Sequence, residues 1–528
     1  MEAIEREQRT GDAPLVIRRV RLPGPVAADD GVPGRAGNGH PAVAGGPGEQ
    51  VWDAAIADGR VVRMVPTGHL EAPAGSDQID AEGRFLLPGL WDEHTHMVQW
   101  ALAMSRLDLS GATSAAQVMD LVRTALPTDR PVVGYGFRDA LWPDVPSRDL
   151  LDQVAGSVPV VLVSGDLHCA WVNTAGADLL QVTVGADGLV REGAWFEAMP
   201  RLDAATVAGA EGALAKALPL LAARGVVGVV DLEWADNISD WRTRLSAAVP
   251  ALVRVEAGIY PDRLPAALAE GWRSGQVVPG TGGLVRVGPL KILSDGSLNT
   301  RTALCRDPYR GSAQVDRAPG GGYGYREYDV SEMVELVRRA AGGGITATVH
   351  AIGDLAVTAA LDAFEATGSG GRIEHAQLVH PSDHARFAAL GVVAGVQPEH
   401  AMDDRDLAEQ YWPERTGWCF PLADLARAAG ATIRLGSDAP VAPLDPWVTI
   451  SAAVTRSRDG REPWHPEQAL PVSTALAAST RGKGSVRAGQ DADLVLTDVD
   501  PHTADGQALR TMPVWATMVA GRWTYGPA

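Results

Sequence analysis

The chain changes its hydrophobic rhythm three times. Near the start, two apolar runs with strand-like alternation, Pro14–Leu22 and Val51–Val65, are separated by a Gly/Pro-rich stretch from Ala28 to Gln50 that reads as a surface loop. The C-terminal segment returns to the same character in Asp493–Asp498 and Val514–Tyr525. Two β-rich ends flanking a different middle predict one small β-sandwich domain assembled from residues 1–87 and 470–528.

In the middle, short apolar runs alternate with helical patterns such as Ser331–Gly342, where apolar residues recur at helical spacing. Eight candidate strands emerge, at 90–96, 226–231, 253–259, 286–293, 345–350, 372–377, 392–397 and 432–438. Eight βα units predict an α/β architecture, a closed (β/α)8 TIM barrel spanning 88–469 with its functional residues at the C-terminal strand ends. The long interval between the first two strands, about 100–222, predicts an inserted subdomain, within which Pro131–Phe137 and Pro159–Asp166 read as strands. A second long connection, the Gly-rich segment 318–326, reads either as a lid or as a plain surface loop.

Composition narrows the classes. The chain has 528 residues, 46% of them apolar, enough for a large core, and no apolar stretch long enough to span a bilayer. Its start is charged, so a cytoplasmic location is expected. Cys169, Cys305 and Cys419 are odd in number and widely spaced, which argues against a disulfide framework. A net charge of −19 disfavours nucleic acid and anionic membranes as partners, leaving a small-molecule substrate, with a homo-oligomer left open. Fifteen tryptophans against six phenylalanines is an unusual balance, and Trp142, Trp171, Trp195 and Trp234 either line a cleft or simply pack.

The chemistry begins at His94-Thr95-His96. Alternate strand residues share a face, so His94, His96 and Asp92 are expected on one side, and two imidazoles so placed can close on one metal ion. The same pair could equally be two half-buried histidines bonded to the backbone. The ambiguity lessens when the other polar residues are set on the strands: Lys291 falls on the fourth, His350 on the fifth, His375 on the sixth and Asp438 on the eighth. All of these lie at or just past a strand end, except Lys291, which is deeper. Imidazole and carboxylate donors suit zinc and do not exclude manganese, cobalt or iron.

Six motifs in this order, Ile79–His96, Lys291–Ala303, Val349–Val357, Arg372–Val379, Gly436–Trp447 and Asp491–Leu496, resemble the amidohydrolase superfamily and, within it, the amidohydrolase 3 family of YtcJ-like proteins and N-substituted formamide deformylases. The resemblance covers nearly the whole chain. It implies one or two divalent ions, with His94 and His96 on the more buried, His350 and His375 on the more exposed, and Asp438 on the buried ion and the nucleophilic water. It also implies that Lys291, carboxylated by CO₂ to a carbamate, bridges the two. The alternative for Lys291 is a salt bridge to Asp295 or Asp438, which would leave a mononuclear site. Asp92 is expected either to orient an imidazole from behind or to be a structural turn residue. In the insertion, His168 and the adjoining Trp171 are similar to a family element that reaches over the active site. They are candidate substrate contacts, with Arg301 and Tyr309 as weaker ones.

The expected function is a metal-dependent hydrolase acting on a non-peptide C–N bond of a linear amide, formamide or carbamate. A metal-bound hydroxide would attack the carbonyl, and Asp438 would carry the proton to the departing nitrogen. Two other readings compete: a deaminase or cyclic-amide hydrolase on the same scaffold, and a non-catalytic binding protein on a retired fold.

Overall fold

A computed structural model describes residues 14–24, 50–126, 130–206, 210–246, 253–311, 322–428 and 430–527. Of the stretch Ala28–Gln50 all but Gln50, and residues 318–321 of the Gly-rich segment, lie outside the described residues.

Eight parallel strands form the central sheet: β1 (Leu90–Thr95), β2 (Val226–Asp231), β3 (Arg254–Ile259), β4 (Val285–Leu293), β5 (Ala347–Ala351), β6 (Gly371–His375), β7 (Val392–Val396) and β8 (Thr432–Leu435). They neighbour one another in sequence order, as βαβ units require. Helices such as Val330–Gly342 and Asp354–Thr367 cover the outside, so β2 is buried along its whole length. That two-sided burial is why these strands read as continuous apolar runs. The sheet is a nearly closed barrel, and β8 meets β1 through its C-terminal continuation. The Asp438 amide donates to His94 O at 2.7 Å, the His96 amide to Ala439 O at 2.8 Å, and Thr95 pairs with Ala439. Gly436 makes this approach possible, since a Cβ there would stand 2.8 Å from the His94 amide nitrogen.

Register sets the depth of the site residues. Lys291 on β4 is level with Thr348 on β5, whereas His350 is level with Glu374 on β6. Lys291 therefore stands one layer deeper than His350, as its sequence position implied.

Both chain ends join one eight-stranded sheet, in the order Arg522–Tyr525, Val514–Val519, Leu494–Thr497, Phe85–Pro88, Leu15–Arg21, Val51–Ala57 and Arg60–Pro66, with Asp77–Asp80 alongside Leu15–Arg21. Its own core includes Ile17, Ile56, Leu86, Leu494 and Met518. It is pinned to the N-terminal side of the barrel by Arg254 on Asp493 at 2.7 Å and by the Gly89 amide on Asp493 O at 2.8 Å.

Between β1 and β2 lies a separate five-stranded sheet, ordered Leu189–Arg191, Cys169–Val172, Val160–Ser164, Val132–Phe137 and Leu107–Asp108. Both of its faces are covered, and strand alternation divides its residues between two apolar clusters. Cys169 and Trp171 face one, while Ala170 and Val172 face the other. Among the described residues no helix is long and apolar enough to cross a membrane.

Candidate metal centre

The C-terminal mouth of the barrel gathers His94, His96, Lys291, His350, His375 and Asp438 on one cavity of about 530 Å³. Asp438 Oδ1 stands 3.2 Å from Nε2 of His94 and 3.2 Å from Nε2 of His96. The donor atoms of His94, His96 and Asp438 lie within 4.8 Å of one another, and so do those of His375, His400 and Asp438. Two of the converging residues hold a left-handed backbone, His375 at φ 72° and Asp438 at φ 59°. Such conformations are costly for residues other than glycine and concentrate at functional sites.

The protonation states suit a cation. Burial, reinforced by the charge on Lys291, lowers the His94 pKa to about 4. His350 is held well below the ordinary imidazole range by burial and by His168, and His375 by burial and by His350. These rings are therefore neutral, with lone pairs free to bind metal. Burial is the largest effect on Asp438 and favours its neutral form, but His94, His96 and His375 together outweigh it and hold the carboxyl well below its usual range. Burial lowers Lys291 to about 8.

Glu374 holds His94 in place. The His94 Nδ1–H donates to Glu374 Oε2 at 3.1 Å, leaving Nε2 toward Asp438. Glu374 Oε1 in turn accepts from Thr348 Oγ1 at 2.6 Å and lies 3.0 Å from Arg372 Nε. Burial alone would raise this carboxyl, yet Arg372, His94 and Lys291 hold it well below its ordinary value. A Cβ on residue 395 would stand 2.3 Å from Glu374 Oε2, so Gly395 makes the room this carboxylate needs.

The other candidates divide. Lys291 Nζ rests 3.1 Å from His94 Nε2, and among the described residues no ion pair joins it to Asp295 or Asp438. Asp92 Oδ1 accepts the amides of His94 at 3.2 Å and Ser437 at 2.9 Å, so it fastens β1 to the segment after β8 through backbone rather than through a ring. His168 lines the cavity opposite His350, at 5.3 Å between ring centroids, and its Nδ1–H donates to Glu192 Oε2 at 2.8 Å. Burial opposes protonation of His168, but Glu192 overrides it and raises the pKa to about 9.

Trp171, Arg301 and Tyr309 do not line the cavity. Trp171 is fully buried on the face of the inserted sheet that packs against Phe137, because it shares the parity of Cys169. The Tyr309 hydroxyl donates to Ala303 O at 2.8 Å and its ring packs on Trp412. Arg301 sets its guanidinium 5.6 Å from the Tyr411 ring centroid. Of the four tryptophans singled out from the sequence, Trp234 lines the cavity, stacked between Tyr260 at 4.6 Å and Phe196 at 5.4 Å. Neither Glu374 nor His400 was assigned a role from the sequence, although Glu374 adjoins His375 and His400 follows β7 at the same end of the barrel.

A parallel barrel that converges neutral imidazoles and an ionised carboxylate at its C-terminal mouth defines a metal-dependent hydrolase. The chain belongs to the amidohydrolase family, whose sequence profile matches residues 77–525. It is 26% identical to YtcJ of Bacillus subtilis over 499 residues, covering 85% of this chain and 90% of that one. It is 25% identical to the N-substituted formamide deformylase of Arthrobacter pascens over 522 residues, covering 89% and 94%. A metal-dependent hydrolase from Pyrococcus horikoshii superposes with a TM-score of 0.68 at 25% identity, covering 86% of this chain and 95% of that one. Use of divalent metal follows from the family, and the donor set around Asp438 fits it.

Proposed function

We propose that this protein hydrolyses the C–N bond of a linear amide, formamide or carbamate bearing an apolar or aromatic substituent, with zinc as the resident metal. The observation that carries the reading is the position of Asp438. Its carboxylate sits 3.2 Å from both His94 and His96 on the floor of a cavity walled by Phe196, Trp234 and Tyr260. The named likeness to an N-substituted formamide deformylase supports the same bond class.

When bound, the divalent metal supplies Lewis acidity that acidifies water and polarises a carbonyl oxygen. His94, His96 and Asp438 would hold it. Asp438, kept ionised by its histidines, accepts a proton from water and returns it to the departing nitrogen. Each carboxylate oxygen has two lone pairs, so binding a cation leaves one for this transfer. His168, fixed through Nδ1 by Glu192, points its other ring edge to the substrate and orients the carbonyl. The stacked wall of Phe196, Trp234 and Tyr260 takes the apolar substituent and excludes water from that side.

The test is a matched panel presented to the zinc-loaded protein: the formamide, acetamide and methyl carbamate of one phenylalkylamine, with the ester of the corresponding alcohol and a cyclic imide as controls. Release of the free amine from at least one linear member, faster than hydrolysis of the controls, is the expected outcome. Turnover of the ester or imide alone would reject the assignment.

A further inference from the structure

We infer that the cleft has a second, polar lobe that binds a terminal carboxamide on the acyl side of the substrate, with Asn299 as the residue that reads it. This deepens the hydrolase reading above and rests on it: the aromatic wall takes the substituent on nitrogen, and the polar lobe takes the far end of the acyl group. The substrate class becomes a diamide of a short dicarboxylic acid, substituted on one nitrogen only.

Three observations carry it. The first is the division of the cleft. Beside the cavity walled by Phe196, Trp234 and Tyr260 lies a chamber of about 380 Å³, and the two share His168, His375 and Asp438. A carbonyl held at Asp438 therefore has one arm on each side, and on the second side Arg138, Asn299, Gln377 and Asp404 stand where the first has aromatic rings. The second observation is Asn299 itself. It lies in the segment after β4, is only 4% exposed, and neither its Nδ2 nor its Oδ1 has a hydrogen-bond partner among the described residues. A buried amide with a donor and an acceptor both unpaired is costly. Its neighbours are engaged with one another instead: Gln377 Nε2 donates to Asp404 Oδ2 at 2.6 Å, Arg138 Nη2 to Asp403 Oδ2 at 3.1 Å and Ser297 Oγ to Asp166 Oδ2 at 2.6 Å. The third is charge. Arg138 stands among Asp166, Asp403 and Asp404, so the chamber is no cationic pocket waiting for a carboxylate.

The inventory of donors and acceptors selects the group. A carboxylate only accepts, so it would leave Asn299 Oδ1 unpaired and face Asp166 and Asp404 on the same chamber. An ammonium only donates, so it would leave Nδ2 unpaired beside the Arg138 guanidinium. A carboxamide carries N–H and C=O in one plane and pairs with both polar atoms of Asn299 at once, whichever way that amide is turned.

The test presents the zinc-loaded protein with a phenylalkylamine acylated by short chains, of two or of three methylenes, that end in a carboxamide, a carboxylate or a methyl ketone, and reads release of the free amine. In at least one length the carboxamide should exceed both other ends in kcat/KM by about 10-fold or more, because a group that leaves one atom of Asn299 unpaired forfeits that hydrogen bond. Asn299→Leu, similar in volume and lacking both polar atoms, should bring the three ends within about 3-fold of one another. Calorimetric titration with the acids succinamate, succinate and levulinate gives a reading that needs no turnover: succinamate should bind the wild type most tightly and lose that lead in Asn299→Leu. A wild type that treats the three ends alike or prefers the carboxylate or the ketone would overturn the inference, and this ranking decides it even where the variant does not melt cooperatively. A folded Asn299→Leu that keeps the carboxamide preference would overturn it too. Should no amide be hydrolysed while succinamate still leads in binding, the hydrolase reading falls and the assignment of the polar lobe stands.

Discussion

Glu374 Oε2 accepts the Nδ1–H of His94 across 3.1 Å, and this one contact decides which nitrogen of His94 faces the cavity. A carboxylate behind a metal-binding imidazole fixes its tautomer and raises its basicity, and losing one typically costs 10- to 100-fold in metal affinity. Glu374→Gln keeps the shape and removes the charge. Its metal dissociation constant should rise by about 10-fold or more in a chelator competition, and an unchanged constant would show that His94 needs no such partner.

The His168–Glu192 contact makes stability depend on pH. His168 has a folded-state pKa raised to about 9 from an ordinary 6.5, so below pH 6.5 it is protonated whether folded or unfolded and the contact contributes fully. As pH rises toward 9 the unfolded chain has lost the proton and the folded one gives it up, so the contribution fades. Wild type should therefore melt well above His168→Asn at pH 6, and the gap should shrink by pH 9.5. A gap that is constant, or that widens with pH, would contradict the paired imidazolium.

Trp234 stacks between Tyr260 and Phe196 and remains 39% exposed to the cavity and solvent. Truncation to alanine removes apolar contact worth roughly 2 kcal/mol to a ring-bearing substrate. Contact made equally in ground and transition states shows in KM rather than kcat. Trp234→Ala should raise KM by about 10- to 50-fold for a phenylalkyl substrate and leave an N-methyl analogue nearly unaffected. Equal losses on both would place the apolar group elsewhere.

The barrel was legible because its strands are buried on both faces and so read as plain apolar runs; all eight were located from the sequence. The ends of those runs were less legible. The eighth run was expected to reach Asp438, yet β8 stops at Leu435 and Asp438 sits in a left-handed turn held by His94 O. Hydrophobic rhythm carries no record of that contact, made between the first strand of the barrel and the turn after the last, which are far apart in sequence. The same holds for the charged interior, where Glu93 accepts from Arg372 at 2.8 Å and from Arg481 at 2.7 Å across 388 positions. Trp171 was misplaced for a simpler reason. One step of strand parity separates the two faces of the inserted sheet, and the sequence does not say which face looks toward the barrel.

The central claim is that the cluster around Asp438 performs metal-dependent C–N hydrolysis, and the most direct test is kcat for Asp438→Asn on a responsive amide, with bound metal quantified in the same sample. The account predicts a folded variant slower by at least about 100-fold, because the proton acceptor and an anionic ligand are lost together. Turnover close to wild type at equal metal content would contradict it.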